Sequence, residues 1–324
     1  DVAQNRRSDV FFEPRVDDFN VLSFLGLIQA DGYNPLVIQG QRFTLAPEHH
    51  AAVLSLVEQP DVLAAALAQP FTPGGLLRLI ADRELGLRVP PAAFVAAALA
   101  HAEAHFAAAF GEGYWVDHWF YNLDLIESYL ALYPDRKSTL FFEQRVGYFV
   151  SPACVLPRDR QYVLTPNGVR RYHALVEQEI APGADVTVTV FAKLVGLALL
   201  KVATLDPCGM GIEMEAGKPG WYDALNGLPG LIGSSLCETY ELARLLDMLL
   251  AALPDAPATV TLPAELAALL AEVYAILRGP LADDDFSYWD AVATAREAYR
   301  AQIQHGFAGE MTPLAVADLR PILE

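Results

Sequence analysis

The sequence predicts an all-α chain, a closed toroid of helical hairpins with long loops gathered at one end. Three observations predict it. Apolar residues recur at helical spacing in about ten segments of roughly ten to twenty residues each. Strand signals are confined to short pieces, with no βαβ alternation and no heptad seam. Polar and aromatic residues collect in long loops between the helical segments, where a plain bundle would need only short connections. The chain has 324 residues, 53% of them apolar, which is ample for one large core.

Residues 1 to about 44 are mixed, with turn signals at Asp31-Gly32 and Asn34-Pro35 and a short β-like run, PLVIQGQRF. From Pro47 the pattern turns helical. PEHHAAVLSLVEQ and PDVLAAALAQ both open on prolines, which suit the first turn of a helix. PPAAFVAAALAHAEAHFAAAF, Pro90 to Phe110, predicts one long Ala-rich helix ended by Gly111. On it His101 and His105 stand at i,i+4, but Glu103 faces elsewhere and no third ligand is near. The expectation for them, and for His49-His50, is solvent-facing histidine rather than metal. LDLIESYLALYPD predicts a helix closed by Pro134, and RRYHALVEQEI another. Val186 to Leu205 is apolar almost all round yet interrupted by lysines, so it predicts an inner helix rather than a membrane span. SLCETYELARLLDMLLAAL, PAELAALLAEVYAILRGPL and FSYWDAVATAREAYRAQIQHGF complete the helical set. Ser235 and Glu238 read as an S-x-x-E capping box that opens the first of these three.

Charge narrows the function classes. Asp and Glu outnumber Lys and Arg by 40 to 22, a formal charge of −18, so phosphate backbones are repelled and nucleic acid is not an expected partner. Cys154, Cys208 and Cys237 are far apart and form no CxxC, which suggests neither zinc nor a disulfide framework and fits a cytoplasmic protein. No secretory leader or membrane span is expected. The absent initiator methionine suggests a processed chain or a slice of something longer.

Four loops hold the candidate site residues. In GKPGWYDALNGLPG, glycines permit unusual backbone shapes and prolines stiffen the path around Lys218, Trp221, Asp223 and Asn226. Trp221 offers a flat apolar face for a sugar ring. Asp223, among Trp221, Tyr222, Ala224 and Leu225 in sequence, is expected to be poorly solvated, which would raise its pKa and suit a general acid. The plainer reading is an ordered loop in which the aspartate caps a turn. Glu213 and Glu215 alternate and share one face of an extended segment, either to bind hydroxyls, to supply a base, or simply to face solvent. In GEGYWVDHWFYN, Trp115, Asp117, His118 and Trp119 read as aromatic platforms around hydrogen-bonding groups, or as a packed helix start. In QNRRSD, the tandem Arg6 and Arg7 beside Asp9 suit vicinal hydroxyls or phosphate, or form a surface ion-pair patch. Arg158 and Arg160 in SPACVLPRDRQYV add little specificity.

GWYDALNGLPGLIGSSLCETYEL resembles the general-acid loop of the cellobiose-phosphorylase-like inverting glycoside phosphorylases, including their large bacterial β-glucan phosphorylase relatives. That group carries a W-N-D-A/G-L/M-N motif followed by glycines and a helix start. This chain keeps the aspartate, with Gly220 where the family has Asp and Tyr222 where it has Asn. DVAQ, Asp1 to Gln4, is similar to the family's R-D-x-x-Q sugar-binding segment, the preceding Arg lying outside the chain. YWVDHW is similar, less specifically, to an Asp-containing loop of the family. The resemblance implies an (α/α)6 barrel spanning residues 1–324 as one region of a larger enzyme. It implies Asp223 as proton donor and Trp221 in the subsite wall. Asp1, Arg6 and Asp9 would hold the transferred glucosyl unit, and Trp115 and Trp119 would line the cleft. The expected co-substrate is inorganic phosphate, with no metal or organic cofactor. The expected partners are an oligosaccharide, phosphate and the remaining segments of the enzyme, with homodimerisation a further expectation. An inverting hydrolase with Glu213 or Glu215 as base is the competing enzyme class, and a non-catalytic carbohydrate-binding barrel the competing non-enzyme.

Overall fold

The structure, a computed structural model, describes the chain except residues 1, 36, 110–113, 116–117, 172–174, 178–182, 214–216, 219–233, 281–283 and 305. It corrects the all-α barrel. The fold is mixed, 57% helical and 17% strand, and its strands pair two by two into small sheets that are mostly antiparallel. The chain divides into two compact units, residues 37–109 and the remainder.

The smaller unit shows why the Ala-rich segment misleads. Its helix stops early, at Pro91–Leu99, and Ala102–Ala109 is a strand. That strand pairs antiparallel with Val37–Leu45, in register from Val37↔Ala109 to Leu45↔Ala102. Alanine favours helix only by tenths of a kcal/mol per residue against most residues. A full ladder along a strand partner that already reads as β outweighs this. Phe43 and Phe71 exchange backbone hydrogen bonds at 2.8 and 2.9 Å and stack their rings. The four helices of this unit each carry proline in the first turn, as expected for those opening near Pro47, Pro60 and Pro90, and bury Val53, Leu63, Leu67, Leu76 and Phe94 together. His101 and His105 are exposed, as expected, with His101 in the turn before the strand and His105 on the strand. His101 stacks on His49 at 4.3 Å, and His105 hydrogen bonds Thr44 at 2.7 Å.

The larger unit is built around Val190–Val202, whose residues from Val190 to Lys201 are all buried. Thr189 caps it, accepting from the Ala192 N–H at 3.2 Å. Leu236–Ala252 packs along it, and Ala264–Arg278 packs with Asp285–Gln302. Ser235 does stand at the N-cap of Leu236–Ala252, but its side chain makes no capping hydrogen bond, and Glu238 is buried instead. RRYHALVEQEI is a second correction. Gly168–Arg171 and Leu175–Glu177 are strands, paired with Tyr162–Thr165 and Ala153–Val155. The Asn167-Gly168 turn explains the first pair, since Gly168 takes a φ of +99°, a conformation side-chain-bearing residues rarely adopt.

Candidate functional site

The described residues that flank the central polar segment form a clamped neck. Ile212–Glu213 pairs antiparallel with Ser234–Ser235. Asp206 is the clamp. Its carboxylate accepts from the N–H groups of Cys208 (3.0 Å), Met210 (3.0 Å) and Gly211 (2.9 Å), and from Ser234 Oγ at 2.5 Å. One aspartate thus closes its own turn and ties it to the far side of the neck. Thr239 adds a bond from its hydroxyl to the Met210 carbonyl at 2.8 Å. The sequence DPCGMG carries the signal, an Asp ahead of small and glycine residues, which is an Asx-turn pattern.

The second contact is between two loops that the sequence singles out separately. Gly217–Lys218 runs parallel to Tyr114–Trp115, with Gly217 opposite Tyr114 and Lys218 opposite Trp115. The backbone therefore brings Tyr114–Trp115 beside Gly217–Lys218, which in sequence stand just ahead of Trp221 and Asp223. Asp1, Asp117, Glu215, Trp221, Asp223 and Asn226 lie outside the described residues, and Trp115 and Lys218 are described by their backbone alone.

Other candidates are held elsewhere. Trp119 is a core residue, 1% exposed, with the Lys201 ammonium 5.5 Å from its ring and its carbonyl bonded by Asn122 Nδ2 at 3.0 Å. His118 is half-buried against Tyr121. Gln4 and Arg6 lie on the short helix Val2–Arg6. Arg6 pairs with Asp9 at 3.3 Å, and Asn20 also donates to Asp9. Arg7 reaches Asp124 at 3.2 Å, joining a network in which Arg244 bonds Asp124, Glu127 and Glu241 at 2.6 to 2.9 Å. The Arg6-Arg7 tandem is thus engaged in ion pairs, the plainer of its two readings.

Glu213 sits in the neck itself. Its carboxylate accepts the Trp289 indole N–H at 3.0 Å and lies 4.0 Å from the Arg296 guanidinium, which is fully buried and also donates to the Ala203 carbonyl. Trp289 in turn stacks under Arg158, 5.0 Å from the ring centroid, and Arg158 bonds Asp290, Glu297 and Thr294. Trp289 and Arg296 lie in a segment that reads only as a helix, so nothing local in the sequence marks them as partners of Glu213.

The Asp206 clamp is pH-sensitive in one direction. Burial alone would raise its pKa, but the Ser234 hydroxyl and the three backbone N–H groups together hold it below the usual carboxylate value. A carboxylate depressed in the folded state contributes stability above its unfolded pKa of about 3.9, and loses it as pH falls through the folded value. Protection of the Cys208, Met210 and Gly211 amides, relative to their intrinsic exchange rates, should therefore fall below about pH 4, and Asp206→Asn should remove that dependence. Protection unchanged down to pH 2.5 would contradict the clamp.

Among the described residues, no helix is long and apolar enough to cross a membrane, and no group of three His, Cys, Asp or Glu side chains is placed to hold a metal ion. No protein family matches this chain, and no curated protein matches it.

Proposed function

We propose that this chain belongs to an inverting glycoside phosphorylase acting on a β-linked gluco-oligosaccharide, with Asp223 as the general acid. The observation that supports this reading best is the backbone pairing of Gly217–Lys218 with Tyr114–Trp115. It joins the two aromatic loops whose sequences resemble this enzyme group. The clamped neck is the second support, because a general acid needs a loop whose ends do not wander.

The chemistry follows from the residue types. A phosphate oxygen attacks the anomeric carbon as the glycosidic C–O bond breaks. The electron pair goes to the departing oxygen, which takes its proton from Asp223. Phosphate is already an anionic nucleophile, so no second carboxyl is required to activate water. Glu213 is consistent with this, since it is engaged by Trp289 and lies near Arg296 instead of standing alone as a base. The free cysteines fit a cytoplasmic enzyme.

The test is product analysis. A panel of β-linked glucosyl disaccharides should yield glucose 1-phosphate, with a rate that rises with phosphate and saturates. Free glucose formed at a phosphate-independent rate would replace the phosphorylase with a hydrolase. No turnover with any disaccharide, in either direction, would remove the enzyme reading.

A further inference from the structure

The last strand of the smaller unit has an open edge. Ala102–Ala109, AEAHFAAA, pairs with Val37–Leu45 on one side, and among the described residues no strand pairs with it on the other. Its eight residues exceed the usual strand of about 5–6. Native proteins guard such edges with lysine, proline or a bulge. AEAHFAAA has no lysine and no proline, and the one register shift of the pair lies in the other strand, between Ile38 and Gly40. Five of its eight residues are alanine, whose side chains hinder the approach of a second backbone little.

Phe43 identifies the groups that face outward. Its N–H and C=O are both bonded to Phe71, at 2.8 and 2.9 Å, so both point away from Ala102–Ala109. Phe43 stands opposite Ala104. In an antiparallel ladder, two opposed residues exchange both hydrogen bonds or neither. Phe43 and Ala104 therefore exchange none, and the Ala104 N–H and C=O point to the open edge. Glu103 and His105, on either side, turn their backbone groups inward to Thr44 and Arg42. Their side chains share the face opposite to that of Ala104, and both are exposed.

We propose that this edge pairs with the same edge of a second copy of the chain, antiparallel about a two-fold axis at Ala104. Each Ala104 N–H then donates to the Ala104 carbonyl of the other copy. The flanking residues exchange across the axis, so Glu103 of each copy stands opposite His105 of the other. These are positions without backbone hydrogen bonds, where opposed side chains come closest. A carboxylate thus meets an imidazole twice, and Arg42, opposite His105 in its own sheet, adds a second basic group on that side. An axis at His105 would oppose two imidazoles, and one at Phe106 would oppose alanines to both polar residues. Charge therefore selects the axis at Ala104. The self-complementary order Glu-Ala-His fits a second copy, where an unrelated strand would need its own matching charges. Contact by strand edges alone buries less than the about 1,200 Å² of standard interfaces, so the dimer forms at high concentration and dissociates on dilution. The contact is independent of any catalytic activity.

Sedimentation equilibrium of the chain, from micromolar to hundreds of micromolar, tests the pairing. Wild type should pass from monomer to dimer, and exchange of the Ala104 amide should slow over the same range. Ala104→Pro removes an N–H that points outward, so the ladder with Val37–Leu45 keeps its bonds while dimerisation should weaken at least about tenfold. Glu103→His, which opposes two imidazoles, is a second variant that leaves the outward backbone groups in place. It should weaken the dimer too. Combining Glu103→His with His105→Glu should restore it, because the exchange keeps each carboxylate opposite an imidazole. A chain that stays monomeric throughout the range would overturn the proposal. So would a dimer that neither Ala104→Pro nor Glu103→His weakens. A dimer weakened by Glu103→His and not rescued by the exchange would overturn the axis at Ala104.

Discussion

Asp223→Asn should lower phosphorolysis of a β-linked disaccharide about a thousandfold, within the range that a general acid contributes. An amide of the same shape cannot protonate the departing oxygen, so an alkyl glycoside would have to leave as an alkoxide. Saccharide affinity should stay nearly the same, because the side chain keeps its size and its hydrogen-bonding capacity. A substrate that needs no proton separates this role from a structural one. β-Glucosides of acidic phenols leave readily as phenolates, so the variant should keep most of its activity on them. Comparing the two substrate types in one preparation makes the test independent of how much protein folds. Equal losses on both would assign Asp223 to loop structure, and unchanged turnover of the disaccharide would sink its assignment.

The second large effect is on stability. Lys193 is 1% exposed, and its Nζ donates to the Ile28 carbonyl at 2.6 Å and to the Gly147 carbonyl at 2.8 Å. It thereby joins a helix to two segments that are distant in sequence. Lys193→Ala removes the donor from both carbonyls and opens a cavity, and should cost about 3–5 kcal/mol in urea unfolding. Lys193→Met refills much of the volume but not the hydrogen bonds, and should cost about 2–3 kcal/mol. Burial holds the Lys193 pKa well below its ordinary value. The unfolded chain therefore binds this proton more readily than the folded one. Stability from this group rises with pH between the folded value and about 10.4. Wild type should therefore gain stability relative to Lys193→Met as pH rises toward about 10.4, the methionine variant lacking this contribution. Alanine and methionine variants as stable as wild type would show the two carbonyls to be satisfied otherwise.

Much of the local structure was legible. The proline-initiated helices, the inner helix at Val190–Val202 and the strand at Val37–Leu45 all follow from short-range rules, and each stands where those rules put it. The start of Leu236–Ala252 was legible as a boundary, though not in its hydrogen bonding. The failures share a cause. HAEAHFAAA has helical propensity and no turn residue, and only the ladder with Val37–Leu45 makes it a strand. RRYHALVEQEI contains apolar residues at spacings that satisfy more than one template, and the Asn167-Gly168 turn preceding it was the deciding signal. The all-α toroid failed because pairing of distant segments is not a property of either segment.

The candidate site divides along the same line. Glycines, prolines, Trp221 and Asp223 mark the central loop in the sequence, since side-chain chemistry and turn preference are local properties. DPCGMG marks the Asp206 turn, but the partners across the neck are not marked in that way. Asp206 reaches Ser234, and Trp289 reaches Glu213, across gaps that only folding closes. Arg7 reaches Asp124 only in the folded chain, 117 positions away in sequence. By itself the sequence determined which residues can do chemistry and where most helices begin. Tertiary structure decided which of those residues are occupied by neighbours, because hydrogen bonds and ion pairs form over a few ångströms of space, whatever the separation along the chain.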